Sequence, residues 1–384
     1  MNQTSRDMIT KLVGFDTVSR HSNLELIDYV TEYLSSFGVK SHLVENEEGT
    51  KANLYATVGP QTEGGVVLSG HTDVVPVDGQ PWDSDPFVIT EKDGRLYGRG
   101  TCDMKSFIAI GLAKVPDMVA AGLKRPIHFA LSYDEEIGCL GAPAMIDRLT
   151  TEIAKPQAVI VGEPTDMAPI MAHKGLMVAT TTVMGHEAHS SQMQRGVSAV
   201  MTAGQLIAYL KQMMDESQRN ADPSTGFVPP YTTIHVGMVE GGTAVNIISR
   251  KCSFTWDMRV LPGESVDDYL RRFQAYCDEL ESDMKQIAEG ASIRTVLSAN
   301  APPLSSKGDL AAQAIAKKLT GHEHCGVVPF GTEAGQFQER GFSVVVCGPG
   351  SINQAHQPNE YIEISQVGVC ETFMDDLITD LSTS

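Results

Sequence analysis

Gly70-His71-Thr72-Asp73 is followed thirty residues later by Gly100-Thr101-Cys102-Asp103-Met104-Lys105. Further on come Asp134-Glu135-Glu136, then Gly162-Glu163-Pro164-Thr165, and near the C-terminus Ala355-His356-Gln357-Pro358. Most of these groups close an apolar run, so two histidines and several carboxylates are expected where strands give way to loops. Imidazole nitrogens and carboxylate oxygens together form the donor set of hydrolytic metal ions. The pattern points to a two-metal amide hydrolase in which the ions activate water.

Each group also has a plainer reading, and their combination decides between the two. His71 and Asp73 are two apart near a strand end, so their side chains project to one face. A ligating histidine commonly donates its other ring N–H to a carboxylate, and Asp73 is placed to accept it. Asp103 follows Gly98-Arg99-Gly100, a turn that permits close backbone approach. Its two oxygens can bridge cations roughly 3.5 Å apart. Three adjacent acids, Asp134-Glu135-Glu136, repel one another unless cations compensate. Alone they would read as a solvated helix start. Beside His71 and Asp103, one glutamate can face a metal while its neighbour faces water as general base. Glu163 follows the apolar run 158–162, and His356 sits in a loop after Gly348-Pro349-Gly350.

These residues need a scaffold, and 384 residues are enough for two domains. A helix is predicted over 23–37, with Leu24, Ile27, Val30, Leu34 and Phe37 on one face. Strands are predicted at 39–44, 53–58, 66–69, 127–133 and 158–161, with helices over 104–119 and 144–149. That alternation gives an α/β domain with a mixed, mostly parallel sheet flanked by helices. From 177 to 297 the order becomes strand-helix-strand-strand-helix-strand, the split βαβ unit of a ferredoxin-like α+β fold. It must be an insertion, because His356 lies beyond it. The α/β domain resumes with a helix from 309, a strand at 343–347 and a helix from 365. The expected division is 1–175 with 293–384 for the metal-binding domain, and 176–292 for an inserted lid and dimerisation domain.

The net charge of −19 argues against a nucleic-acid partner. No apolar run approaches the ~18 residues of a membrane span, and residues 1–11 hold no apolar signal-peptide core. The seven cysteines are scattered and odd in number, which fits reduced thiols in a cytoplasm.

With its motifs in this order, the whole chain resembles the dinuclear zinc aminoacylase/carboxypeptidase family, which includes the succinyl-diaminopimelate desuccinylases. The run from Gly348 to Pro358, with Thr332-Glu333-Ala334 before it, is similar to the branch that cleaves acetylornithine. Desuccinylases typically carry Ser-Asp where Thr332-Glu333 stand. The resemblance implies two Zn2+ per subunit, with Co2+ able to substitute. His71 and Glu163 would hold one ion, Glu136 and His356 the other, and Asp103 would bridge them. Glu135 would be the general base, Asp73 would buttress His71, and the Asp103–Met104 peptide would be cis. In the insertion, His189 resembles a histidine that stabilises the oxyanion, often from the partner subunit. Asn246 and Arg259 match residues that contact the substrate or its carboxylate. For Glu333 we expect contact with the substrate's side-chain ammonium, the alternative being a pocket-wall carboxylate held by backbone N–H groups.

The activity so implied removes the acetyl group from N2-acetyl-L-ornithine, giving ornithine and acetate for arginine biosynthesis. Desuccinylation of succinyl-diaminopimelate, or a broader deacylation of N-acyl amino acids, are the alternatives on the same site. A catalytically silent zinc-dependent binding protein is the reading from another class, and the intact Glu135 speaks against it. The resemblance also implies a homodimer formed through the inserted domain.

Overall fold

The computed structural model describes residues 1–383. They form two compact units. The larger comprises Met1–Ala172, Leu304–Val327 and the chain from Thr332 onward, and the smaller comprises His173–Pro303 and Val328–Gly331.

The larger unit is built on an eight-stranded sheet. Its central strands, in spatial order, are Ile127–Ser132, Val66–His71, Ala158–Pro164 and Val344–Gly348. These four run parallel, and every residue in them is buried. Continuous burial is what a parallel sheet covered on both faces demands, and it explains their Val/Ile-rich sequences. Ser41–Glu45 and Ala52–Val58 extend one side antiparallel, and Ile170–His173 pairs antiparallel on the other. Because the centre is parallel, the C-terminal ends of its strands share one edge, where open α/β sheets present ligands.

The helix Lys105–Ala113 is buried at all nine positions. The single helix expected over 104–119 is in fact two, the second being Val115–Ala120. Pro116 explains the break, since it lacks an N–H and its ring crowds the preceding turn. A helix that the sequence reading did not anticipate, Gln3–Val13, buries Met8, Ile9, Leu12 and Val13 and is capped by Asn2. A small separate sheet pairs Tyr361–Glu363 with Arg95–Tyr97, and Arg95–Tyr97 with Thr90–Lys92.

One buried base carries a testable consequence for stability. His128 lies within the strand Ile127–Ser132, bonded through Nδ1 to Thr57 Oγ1 at 2.9 Å, while its Nε2 has no partner among the described residues. Burial lowers its pKa from 6.5 to about 4. As pH falls through that window, the unfolded chain takes up a proton that the folded chain refuses. Folding should therefore lose on the order of 3 kcal/mol from this group between pH 6.5 and 4, and no more below. We expect His128→Gln to flatten the fall in urea midpoint between pH 7 and 4.5. An unchanged fall would show that His128 does not titrate this way.

The smaller unit has a four-stranded antiparallel sheet in the order Thr233–Gly241, Lys251–Val260, Gly175–Met184, Ser292–Ala301. Numbered along the insertion, the order is 2-3-1-4, that of the ferredoxin-like unit. The helices Ala199–Arg219 and Val266–Ile287 share a core with the buried Phe254, Trp256 and Phe273. The boundary expected at 292/293 falls at the first residue of the strand Ser292–Ala301. That strand pairs with Gly175–Met184 along its length, so the insertion runs on to Pro303. Among the described residues, no helix is long and apolar enough to cross a membrane.

Candidate metal centre

The parallel strands bring their ends together as the motif pattern requires. His71 is the last residue of Val66–His71, and Glu163 is next to last in Ala158–Pro164. Glu135 and Glu136 follow Ile127–Ser132, and the loop holding His356 follows Val344–Gly348. Gly162 lets Glu163 reach this edge, because a Cβ there would stand 2.0 Å from the Phe107 ring. Asp103 comes from the turn through Gly100, whose φ of +85° suits glycine. The peptide after Asp103 is cis.

His71 Nε2 lies 3.0 Å from Asp103 Oδ1 and 3.7 Å from Glu163 Oε1. His356 Nε2 lies 3.3 Å from Asp103 Oδ2 and 3.0 Å from Glu136 Oε2. Asp103 therefore turns one oxygen toward each histidine, with Glu163 beside the first and Glu136 beside the second. Ligand atoms of His71, Glu135 and Glu163 all lie within 4.8 Å of one another, as do those of His71, Asp103 and Glu136.

The electrostatics of this cluster call for positive charge. Burial raises the pKa of Glu135, Glu136 and Glu163, and repulsion among the acids raises each further. Burial would also raise Asp103, but hydrogen bonds from the His356 and His71 rings hold it below the usual carboxylate range. Hydrogen bonds to Asp103 and Glu136 push His356 up to about 10. Glu136 Oε1 is buried without a hydrogen-bond partner among the described residues, which costs about 1–3 kcal/mol if nothing satisfies it. A divalent cation held here would satisfy that oxygen and relieve the repulsion among the acids. The oxygen-rich, two-histidine donor set suits Zn2+ or a similar ion.

Two expectations change on the geometry. The Asp73 carboxylate lies 3.6 Å from His71 Nδ1, whereas the backbone carbonyl of Asp73 lies 2.9 Å from it. The carbonyl is thus the buttress. The carboxylate instead accepts the N–H groups of Glu135 at 3.1 Å and Glu136 at 3.3 Å, and the Ser19 hydroxyl at 2.7 Å. It pins the turn that carries both glutamates. Glu333 was expected to meet a substrate ammonium, but it is only 1% exposed. Its oxygens accept from Ser69 Oγ at 2.5 Å and Ser132 Oγ at 2.7 Å. Glu333 is therefore a buried tie between the strands that deliver His71 and Glu135, held by hydroxyls rather than backbone N–H groups.

Three further expected residues belong to the smaller unit. His189 is exposed, with Nδ1 2.8 Å from Ser191 Oγ and 3.2 Å from the Ser191 backbone nitrogen. Ser190 N–H donates to the Asn246 carbonyl at 3.0 Å, so His189 and Asn246 sit on adjoining segments. Arg259 lies in Lys251–Val260, with Nε 3.4 Å from Asp257 Oδ1 in a partly exposed pair. Such a pair holds the guanidinium weakly.

The sequence reading missed Cys139, whose thiol donates to Glu135 Oε1 at 3.0 Å, and Glu360, which is buried against the Asp103 loop. Glu360 stands only four residues after His356, in a stretch that otherwise reads as a polar turn.

Residues 67–380 match the profile of peptidase family M20/M25/M40. The acetylornithine deacetylase of Myxococcus xanthus is 35% identical over 374 residues, covering 96% of this chain and 95% of that one. The acetylornithine deacetylase of Pasteurella multocida is 35% identical over 383 residues, covering 98% and 97%. An M20 family metallo-carboxypeptidase from Sulfolobus solfataricus superposes with a TM-score of 0.78 at 19% identity, covering 100% of this chain and 99% of that one. A dinuclear metal-binding M20 peptidase from Bacillus subtilis gives 0.63 at 16% identity, covering 99% and 98%.

Proposed function

Because the chain belongs to peptidase family M20/M25/M40, we infer that it is a metal-dependent amide hydrolase that removes the acetyl group from N2-acetyl-L-ornithine. The observation that carries the chemistry is Asp103, with one carboxylate oxygen toward His71 and the other toward His356. We assign two Zn2+ per subunit, with Co2+ able to substitute. His71 and Glu163 would hold one ion, Glu136 and His356 the other, and Asp103 would serve both. Such a pair, when bound, polarises the amide carbonyl and brings a water's pKa toward neutrality.

The chain's own groups then handle the protons and the charge. Cys139 occupies Glu135 Oε1, which leaves Oε2 to take the proton of the attacking water. The same carboxyl hands that proton to the departing amine. Asp73 keeps Glu135 in place by holding its N–H. We assign His189 to the developing oxyanion, because an imidazole N–H can donate to it. Asn246 and Arg259 are assigned to the substrate, with the Arg259 fork suited to an α-carboxylate. We further propose a homodimer through the inserted unit. Its edge strand Thr233–Gly241 exposes Met238 and Val239, which supports that reading. Seven free thiols, six of them buried, support a reducing cytoplasm.

Acetate release from a panel of N-acyl amino acids tests the substrate. N2-acetyl-L-ornithine should give the highest kcat/KM, and faster turnover of succinyl-diaminopimelate or of an uncharged N-acetyl amino acid would reassign it. Replacing Arg259 with Ala should raise KM by about 10- to 100-fold, the worth of a lost charge-assisted bond. A parental KM for N2-acetyl-L-ornithine would remove Arg259 from the carboxylate.

A further inference from the structure

Glu360 is among the most enclosed charges of the larger unit, at 1% exposure. Its Oε1 accepts the backbone N–H groups of Gly100 at 3.1 Å, Cys102 at 2.8 Å and Asp103 at 3.0 Å. Its Oε2 accepts Arg99 Nη1 at 2.6 Å and the Gly100 N–H at 3.1 Å. Arg99 in turn donates from Nη2 to Gln80 Oε1 at 2.6 Å. Gln80 Nε2 then donates to the backbone carbonyl of His356 at 3.1 Å. An unbroken chain of hydrogen bonds thus runs from the N–H of Asp103 to the carbonyl of His356.

We propose that Glu360, Arg99 and Gln80 form a strut that sets the separation of Asp103 from His356, and so tunes the affinity of the centre for its cations. This rests on the reading of Asp103 and His356 as metal ligands. None of the three is offered as a ligand; they are positioning residues. The His356 side chain is 52% exposed, and its φ is +62°, a region a non-glycine residue keeps only when its surroundings hold it there. The Gln80 bond is one such hold. At the other end, three N–H groups aimed at one carboxylate would be left unsatisfied without it, and the loop would have to move Asp103 to find other acceptors. The small sheet explains how residues so far apart in sequence meet. Pairing of Ile362 with Leu96 sets the segment after His356 beside the one before Asp103.

Partners of ligands typically change metal affinity by about 10- to 100-fold when removed. The strut predicts different losses at its two ends. Glu360→Gln keeps the size but sets an NH2 against donors on one side, the loop N–H groups or Arg99 with the Gly100 N–H, and removes the charge that pairs Arg99. Both ions should therefore bind about 10- to 100-fold more weakly, since Asp103 serves both. Gln80→Ala touches only the His356 end, so one ion should weaken and the other keep its parental affinity. The full chain would be titrated with Zn2+ and with Co2+ alone, following heat and the Co2+ absorption spectrum well below the thermal midpoint. A role in folding alone would lower that midpoint and leave the affinities unmoved. If Glu360→Gln fails to fold, Gln80→Ala, at a partly exposed residue, decides by itself. Two ions bound by Gln80→Ala as tightly as by the parent would overturn the strut. A parent chain that takes up no pair of ions would instead remove the two-metal reading on which it rests.

Discussion

Glu135→Gln should lower kcat by about 10²- to 10⁴-fold, the usual contribution of a positioned general base. Both cations should stay bound, because the variant keeps His71, Asp103, Glu136, Glu163 and His356. The expectation follows from how Glu135 is held. Its backbone N–H is fixed by Asp73 and its Oε1 by the Cys139 thiol, so the side chain is aimed and one oxygen is left to take a proton. Glutamine preserves the shape but cannot accept that proton as a carboxylate does. KM should change little, since the proton moves only on the way to the transition state. Turnover and metal content measured on one preparation separate this from metal loss. Parental turnover with full metal content would end the assignment of Glu135 as base.

Asp103→Ala should go further and strip the centre of both ions. His71, at a strand end, and His356, in a loop, both lie against Asp103, at 3.0 Å and 3.3 Å. Without its carboxylate, each half retains one histidine and one glutamate from the set, too few protein ligands for a tight zinc site. The charge balance shifts as well, because His71 and His356 owe their raised pKa values largely to Asp103. Metal content should fall from two equivalents toward none, and hydrolysis should fall to background. One tightly held ion in Asp103→Ala would show that the halves are independent and that Asp103 is no bridge.

The candidate positions were readable because His71, Glu135 and Glu163 close or follow runs too apolar to be anything but buried strands, while His356, in a loop, was marked by the resemblance of the run around it. A parallel sheet then has only one edge at which such ends can meet. The inserted unit was readable from the order of its elements, since strand-helix-strand-strand-helix-strand leaves few ways to form a single sheet. What escaped were choices among acceptors. The spacing of His71 and Asp73 says that they share a face, but not that the backbone carbonyl would lie nearer the ring than the carboxylate. Glu333 presents one acid in a short polar stretch, and only the folded sheet reveals Ser69 and Ser132 beneath it. Glu360 escaped for the same reason, with partners some 260 positions away. The helix Gln3–Val13 carries too short an apolar stripe to stand out from its polar neighbours. Pro116 was visible, yet the apolar residues on either side of it masked the break.

Diffraction from crystals of the zinc-loaded protein, recorded at the zinc absorption edge, addresses the two-ion centre directly. Two anomalous peaks should appear roughly 3.5–4 Å apart, with Asp103 between them, His71 and Glu163 on one and Glu136 and His356 on the other. A single peak, or a pair placed away from Asp103, would contradict the account.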